Sequence, residues 1–480
     1  GRYRTRTCDP LLVRNKRGPR YLGFAGPSPV FMRFWLLVVD GCFVLLRSGW
    51  CPRGAPRNPF TRRMIRALTR RCAATPPHTC TDYRLGLVFG SPVKATSDSP
   101  VRGPLAMCDS VGEPTGGVME LGLFTMPSHP PERALREGWE WDLQTIVWAD
   151  QLGFKEAWIG EHHTAKWEPH PAPDLLTIEA LRRTEQIRIG PGGFLLPYYH
   201  PAELANRVAF LDHLSEGRLN FGIAASGVPS DWEMFAVDGD GGENREMTRE
   251  SIDFILNLWT QEPGWQHKGR FWKGSVPIGM PELEQVHHLK PLQVPHPPIG
   301  VAGLNSPSPT LEIAGEKGWL PLSLNLNPNY VKGHWDSYEK GARRAGREVS
   351  RRDWRMVREV FVAPSDEEAW ELSVNGPMGR MMGEYFLPLL KAFGFEEFLR
   401  GPQSAPDSVV DVDFCARNNW FVGSPETVAK KIEKVYSDVG GFGHLLLFCF
   451  DYVEQPSVWQ RSMELLATEV MPRLTHLTGN

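Results

Sequence analysis

Between residues 119 and 480, apolar runs of strand length alternate with longer stretches whose apolar positions recur at helical spacing. The short runs are 121–125, 156–159, 187–190 (IRIG), 218–224 (RLNFGIA), 297–303 (PPIGVAG), 319–325 (WLPLSLN), 354–363 (WRMVREVFVA) and 444–450 (HLLLFCF). Runs of this length predict buried strands. Helices are predicted over 139–151, 174–184, 201–214, 247–260, 310–317, 330–345 and 425–436, with a last one in 458–474. Gly153 and Gly217 stop two of them, and Ser424-Pro425 starts another. Eight strands alternating with helices predict an α/β fold, a (β/α)8 TIM barrel with insertions. A doubly wound open sheet is the alternative, disfavoured because no GxGxxG follows the first strand. Three stretches break the rhythm. Residues 225–245 form a loop too long to be mere connection and are a functional candidate. Residues 264–297 suggest a hairpin insertion. Residues 370–420 suggest an inserted lid or subunit contact, with 377–395 as the lid.

Charge divides the chain differently. The net charge of -3 combines 19 Lys/Arg against 6 Asp/Glu in residues 1–118 with an acidic remainder. The same 118 residues hold six of the eight cysteines. A disulfide framework or a basic nucleic-acid arm would be the usual readings, but the cysteine spacings match no zinc pattern and the arginines form no face. FWLLVVDGCFVLL at 34–46 resembles a signal-peptide core, interrupted by Asp40 and Gly41 and too short to span a membrane as a helix. Residues 1–118 are therefore read as a non-native or disordered extension and 119–480 as the barrel domain, with Met119 as the expected start. On that reading the protein is cytoplasmic and holds only Cys415 and Cys449. Its acidic surface disfavours nucleic acid and anionic membranes as partners.

In a barrel, the loops after the strands gather on one face and carry the chemistry. EAWIGEHHTAKWEPH at 156–170 ends its apolar run in Glu161, His162 and His163. Adjacent histidines on extended chain point to opposite sides, so one of them can face a common site and the other is structural. A zinc site is a weak competitor, since there is neither an HExxH helix nor paired cysteines at ligand spacing; no metal is expected. Gly192 and Gly193 permit close approach of backbone to a ligand or make a simple turn. Arg245, near a helix start, could hold an anion by paired hydrogen bonds or do nothing specific. Ser308 and Thr310 precede a helix, where they either cap it or help bind a phosphate. Trp139, Trp141, Trp148 and Trp158 read as core.

These residues carry a resemblance. WIGEHHT, IRIGPGGFLLPYYHPAELANRVAFLDHLSEGRLNFGIAASG, ENREMTRE and GVAGLNSPSPTLEIAGEKG, in this order, resemble the bacterial luciferase-like flavin-dependent monooxygenases, and within them the limonene 1,2-monooxygenase-like or alkanal monooxygenase-like subgroup. The resemblance covers about three quarters of the chain, from Met119 almost to its end. It implies a barrel that takes reduced FMN from a separate flavin reductase, reacts it with O2 to a C4a-peroxyflavin, and oxygenates a small apolar organic substrate of the terpene, aldehyde or ketone class. It implies His162 as the catalytic histidine and Gly193 at a non-proline cis peptide beside the flavin. Ala224 and Ala225 would line the flavin, with Arg245, Ser308 and Thr310 at its phosphate. The chain departs from luciferase where a cysteine and an arginine give way to Ala224 and Ala225, which removes one basic phosphate contact; its loop GLNSPSP is also longer. Relatives imply a homo-oligomer. A deazaflavin-dependent oxidoreductase and a non-catalytic flavin-binding protein are the alternative functions; a metal hydrolase is a distant third.

Overall fold

A computed structural model describes residues 118–285, 288–401, 404 and 408–477, together with four strands within 11–47. Two units are distinguished, Gly1–Met107 and Cys108–Asn480. In the first, the strands Leu11–Leu12, Arg20–Gly23, Phe34–Val39 and Cys42–Arg47 pair antiparallel in chain order. The signal-like stretch is thus the last hairpin of that sheet. The remainder of the expected extension lies outside the described residues.

The second unit is a parallel barrel. Its strands are β1 (Glu120–Thr125), β2 (Glu156–Ile159), β3 (Arg188–Pro191), β4 (Phe221–Ala224), β5 (Ile299–Gly303), β6 (Leu320–Ser323), β7 (Arg355–Arg358) and β8 (His444–Phe448). They are hydrogen-bonded in the order β3-β2-β1-β8-β7-β6-β5-β4. The remaining seam, β3 to β4, closes through the bridge Ile189–Leu219 and a two-residue strand, Phe194–Leu195, which pairs in parallel with β4. Glycine makes that seam possible. A Cβ at Gly193 would overlap the backbone of Gly222 and Ile223, and one at Gly222 would overlap the Pro191 carbonyl. Here glycine permits close approach of two backbones rather than an unusual φ.

The barrel interior is packed, not hollow. The Trp158 indole, fully buried, reaches from β2 across to Gly300 of β5, where any Cβ would strike its ring. Burying about 200 Å² of indole contributes roughly 5 kcal/mol of transfer free energy. Trp141 is likewise buried, while Trp139 and Trp148 pack partly exposed against the same core.

The helices that cover the barrel begin where the sequence places turn and capping residues. They are α1 (Leu135–Gln151), α2 (Pro173–Arg183), α3 (Pro201–Leu214), α4 (Pro229–Phe235), α5 (Glu243–Thr260), α6 (Pro309–Lys317), α7 (Pro328–Arg344), α8 (Asp366–Ser373), α9 (Pro377–Met381), α10 (Leu387–Ala392), α11 (Val412–Asn418), α12 (Pro425–Val439) and α13 (Pro456–Leu465). Proline, whose missing N–H costs nothing there, opens many of them.

Three expectations need correction. The seventh run, 354–363, is not one strand. β7 ends at Arg358, and Val360–Val362 leaves the barrel ladder to pair with Phe421–Gly423. The 225–245 stretch contains a helix, α4. Cis peptides among the described residues occur only at Val294-Pro295 and Ser306-Pro307, so the peptides on either side of Gly193 are trans. The hairpin insertion is present, as Gln266–Lys268 against Lys273–Ser275.

Candidate active site

The carboxyl ends of β1, β2, β3, β4 and β8 form a continuous polar and aromatic rim. After β2 the chain turns through Glu161, His162, His163 and Thr164. His162 N–H donates to the His170 carbonyl at 3.0 Å, and the His170 ring bonds the Gly160 carbonyl at 2.8 Å, so residues 160–170 close on themselves. Burial holds the His170 imidazole below its ordinary pKa.

The two adjacent histidines go to different partners. His163 Nε2 lies 2.8 Å from Glu161 Oε1, with its ring edge-on to Tyr198 and Phe235. Glu161 also accepts from Leu195 N–H at 3.1 Å, which ties the β2 loop to the exit of β3. Burial raises the Glu161 pKa, against the hydrogen bonds it receives. His162 instead places Nε2 3.4 Å from Glu168 Oε2. Its Nδ1 is buried and has no partner among the described residues.

The long loop after β4 is built onto this rim. Asp231, fully buried at the start of α4, accepts from Thr164 N–H at 2.9 Å and from the Thr164 hydroxyl at 2.5 Å. Tyr198 donates to Ser226 Oγ at 2.8 Å. Asn244, at the start of α5, donates through Nδ2 to the carbonyls of Ala225 and Ser226, each at 3.1 Å. That anchor sets Ala224 and Ala225, both half-buried, beside Arg245. The Arg245 side chain is exposed and has no ion-pair or hydrogen-bond partner among the described residues.

β5 lies next to β4, with Val301 opposite Ile223, so the end of β5 adjoins the same place. Ser308 is buried and acts as the helix cap of α6: its Oγ accepts from Leu311 N–H at 3.3 Å. Thr310, exposed, directs Oγ1 toward the Ala302 carbonyl at 3.4 Å. Gly193, Ala224, Ala225, Arg245, Ser308 and Thr310 therefore occupy neighbouring strand ends. His162 stands two strands away on the same face, linked through Glu161–Leu195 and Tyr198–Ser226.

Several residues of the rim are not evident from the sequence. Glu168 is buried and accepts from Ser128 Oγ at 3.3 Å and from the Tyr385 hydroxyl at 2.7 Å. Tyr385 belongs to the segment expected as a lid; its ring stacks on Trp167 at 5.7 Å, and Phe386 meets Phe448 of β8 at 6.4 Å. The segment thus lies against the carboxyl ends of β2 and β8. Between β1 and β8, His129 is clamped by Asp142 at 3.1 Å and Asp451 at 2.8 Å, with Arg133 on Asp451 at 3.0 Å. Glu168 stands in the same quoted stretch as His162, but nothing in its spacing marks it. His129 follows Ser128 in the first loop, where proximity to a strand end is its only signal.

A parallel barrel that carries a histidine with an unpartnered nitrogen, an unpaired guanidinium and a helix start on its carboxyl face has the architecture of an α/β-barrel enzyme, whose chemistry sits at that face. Residues 119–441 match the family model described as luciferase-like monooxygenase. The chain is 32% identical over 372 residues to 3,6-diketocamphane 1,6-monooxygenase of Pseudomonas putida, covering 74% of this chain and 98% of that one. It is 29% identical over 369 residues to limonene 1,2-monooxygenase of Rhodococcus erythropolis, covering 76% and 88%. The solved structure of the oxygenating constituent of 3,6-diketocamphane monooxygenase from Pseudomonas putida, a type II Baeyer-Villiger monooxygenase in complex with FMN, superposes with a TM-score of 0.70 over 74% of this chain and 99% of that one.

The chain belongs to the luciferase-like monooxygenase family. It is an oxidoreductase built on the TIM barrel of that family.

Proposed function

We propose that this protein is the oxygenating component of a two-component system, which takes reduced FMN from a separate flavin reductase and, with O2, oxygenates a small apolar terpenoid or ketone. The observation that carries the reading is His162: a half-buried imidazole past the carboxyl end of a barrel strand, with one buried nitrogen left unpartnered among the described residues. The similarity to a diketocamphane and a limonene monooxygenase supports the substrate class. A relative described as the oxygenase component of a trigonelline monooxygenase supports a separate reductase.

The residues present fit a flavin mononucleotide. Arg245, the Thr310 hydroxyl and the start of α6 would hold its phosphate. Ser308 contributes by capping α6 rather than by offering a free hydroxyl. Gly193, Ala224 and Ala225 would present backbone and small side chains to a flat ring. When bound, reduced FMN supplies the electrons that activate O2 for transfer of one oxygen atom. The protein's own part is to bind, to exclude water and to manage a proton. Phe124, Phe448 and Phe386 supply an apolar wall between β1, β8 and the inserted segment, and water exclusion suppresses loss of activated oxygen as peroxide. The free Nδ1 of His162 is the group that would take or give the proton.

The test supplies the full chain with FMN, a flavin reductase and NADH, and follows O2 uptake, hydrogen peroxide and product with bicyclic ketones, limonene and long-chain aldehydes. One of these substrates is expected to divert oxygen from peroxide into product. His162→Ala should remain folded and lower coupled turnover by ~10²-fold or more. The reading is lost if the protein neither binds reduced FMN nor alters its oxidation.

A further inference from the structure

We infer that Glu168 is a positioning residue for His162, and that Tyr385 carries this positioning from the inserted segment into the site. The role assigned to His162 rests on the proposed monooxygenase reading; the contacts among these side chains do not.

Three groups converge on one buried carboxylate. Ser128 Oγ donates to Oε1 at 3.3 Å, the Tyr385 hydroxyl donates to Oε2 at 2.7 Å, and His162 Nε2 lies 3.4 Å from the same Oε2. An ionised carboxylate only accepts, so the imidazole nitrogen facing it is the one that carries hydrogen. The lone pair of a neutral His162 then falls on Nδ1, the nitrogen with no protein partner. Glu168 thereby selects the tautomer, as carboxylates commonly do for functional histidines.

The backbone makes the pair rigid. Glu168 N–H donates to the Ala165 carbonyl at 3.1 Å, and His170 N–H to the Glu168 carbonyl at 2.8 Å, while His162 N–H is held by the His170 carbonyl. Tyr385 then fixes the carboxylate at a second point. Its ring stacks on Trp167 at 13° between planes, and the Arg380 guanidinium stands 5.9 Å from the Trp167 ring. Burial, together with the Glu168 charge beside it, raises the Tyr385 phenol, which keeps it a donor.

The chain reaches this geometry through a π-helical turn, Met382–Phe386, between α9 and α10. Pro388 accounts for the turn: it lacks the N–H that would bond the Glu384 carbonyl, and its ring crowds that carbonyl. The wider turn re-aims Tyr385 relative to a regular helix. Withdrawal of the segment would remove the donor on Glu168 and loosen the tautomer of His162, so the segment both covers the rim and tunes it.

The test begins without flavin. Long-range ¹H–¹⁵N spectra of histidine-labelled full chain, with His162→Gln used to assign the signals, report which ring nitrogen carries hydrogen. The parent and Glu168→Gln, which keeps an acceptor oxygen, should both show His162 protonated on Nε2. Glu168→Ala should show a mixture, and Tyr385→Phe should move part of the way toward it. Where Glu168→Ala fails to fold, Tyr385→Phe carries the comparison. In the flavin-loaded enzyme, the ratio of product to peroxide should fall about 10- to 100-fold in Glu168→Ala and recover in Glu168→Gln. The inference is overturned if Tyr385→Phe and every folded Glu168 variant keep the parent tautomer. A tautomer that responds in a protein with no oxygenating activity would instead overturn the monooxygenase reading and leave the positioning intact.

Discussion

His129 makes the stability of the barrel depend on pH in a way that can be worked from the structure. Its imidazole is almost fully enclosed between the first loop, α1 and the loop after β8, with Asp142 on Nε2 and Asp451 on Nδ1. Burial alone would discharge it, but the two carboxylates outweigh burial and raise its pKa from 6.5 to about 9. Arg133, on Asp451, is the other charge in the cluster; with His129 it holds the Asp451 carboxyl below its ordinary range despite burial. A folded pKa above the unfolded one means that the stabilisation is complete below pH 6.5 and is lost as pH rises through 9. Moving the imidazole from 6.5 to about 9 corresponds to about 3 kcal/mol. The perturbation is His129→Gln, which fills the space and can bond one aspartate but carries no charge. Urea unfolding free energies of parent and variant, measured at intervals from pH 6 to 10, isolate the term, because every other titrating group is common to both. The gap in stability between them should be widest near pH 6 and narrow by about 3 kcal/mol by pH 10. A gap that stays constant across the range would show that His129 is held by packing and neutral hydrogen bonds, and would refute the reasoning.

Two further substitutions test the seam and the anion-binding edge. Gly193→Ala places a Cβ against the backbone of Gly222 and Ile223, which cannot yield as a side chain can, and should cost about 3 kcal/mol or more in thermal or urea unfolding. Gly227→Ala, in open space, should stay within about 0.5 kcal/mol of the parent. Arg245→Ala should weaken FMN binding about 10-fold, by fluorescence titration, and should reduce its dependence on salt.

The architecture was legible because its signals are local. Each barrel strand is an apolar run with a turn residue at its end, and 156–159 and 201–214 fall where periodicity puts them. The errors occurred where tertiary contact overrides pattern. Nothing local in 354–363 says that the ladder partner changes after Arg358, although two adjacent charges in an apolar run are a warning: both Arg358 and Glu359 are buried, and burial discourages the charge on each. Pro229 followed by Asp231 could have announced α4, since proline at the first helical position and an acid in the first turn are helix-start signals. The site divides similarly. His162 stands out by type and place, whereas Glu168 and Tyr385 are separated by 217 residues and meet only through packing. Gly193 is plain in the sequence as a glycine, but its constraint, the backbone of Gly222, lies on the next strand.

β2 shows why the two ends of this barrel differ chemically. At its amino end Glu156 is buried against Arg355, with Nε 3.0 Å from Oε1, and beside His444. Burial and then Arg355 lower the His444 pKa to about 4, so the imidazole adds no charge at neutral pH. Burial opposes the Glu156 charge, but Arg355 keeps its pKa below the ordinary value. The ion pair joins β2 to β7 across the barrel floor, and removal of either ion would leave its partner buried away from water at a cost of several kcal/mol. Beyond the other end of the same strand, about 10 Å away at the rise of an extended chain, the polar groups are held by loops and His162 keeps a nitrogen free. Along β2, then, the charges that fix the fold sit at the amino end, and the histidine left able to react lies beyond the carboxyl end. Because no core residue depends on His162 Nδ1, its replacement can change chemistry while leaving the barrel standing, which is the separation that makes the His162→Ala experiment a test of function rather than of folding.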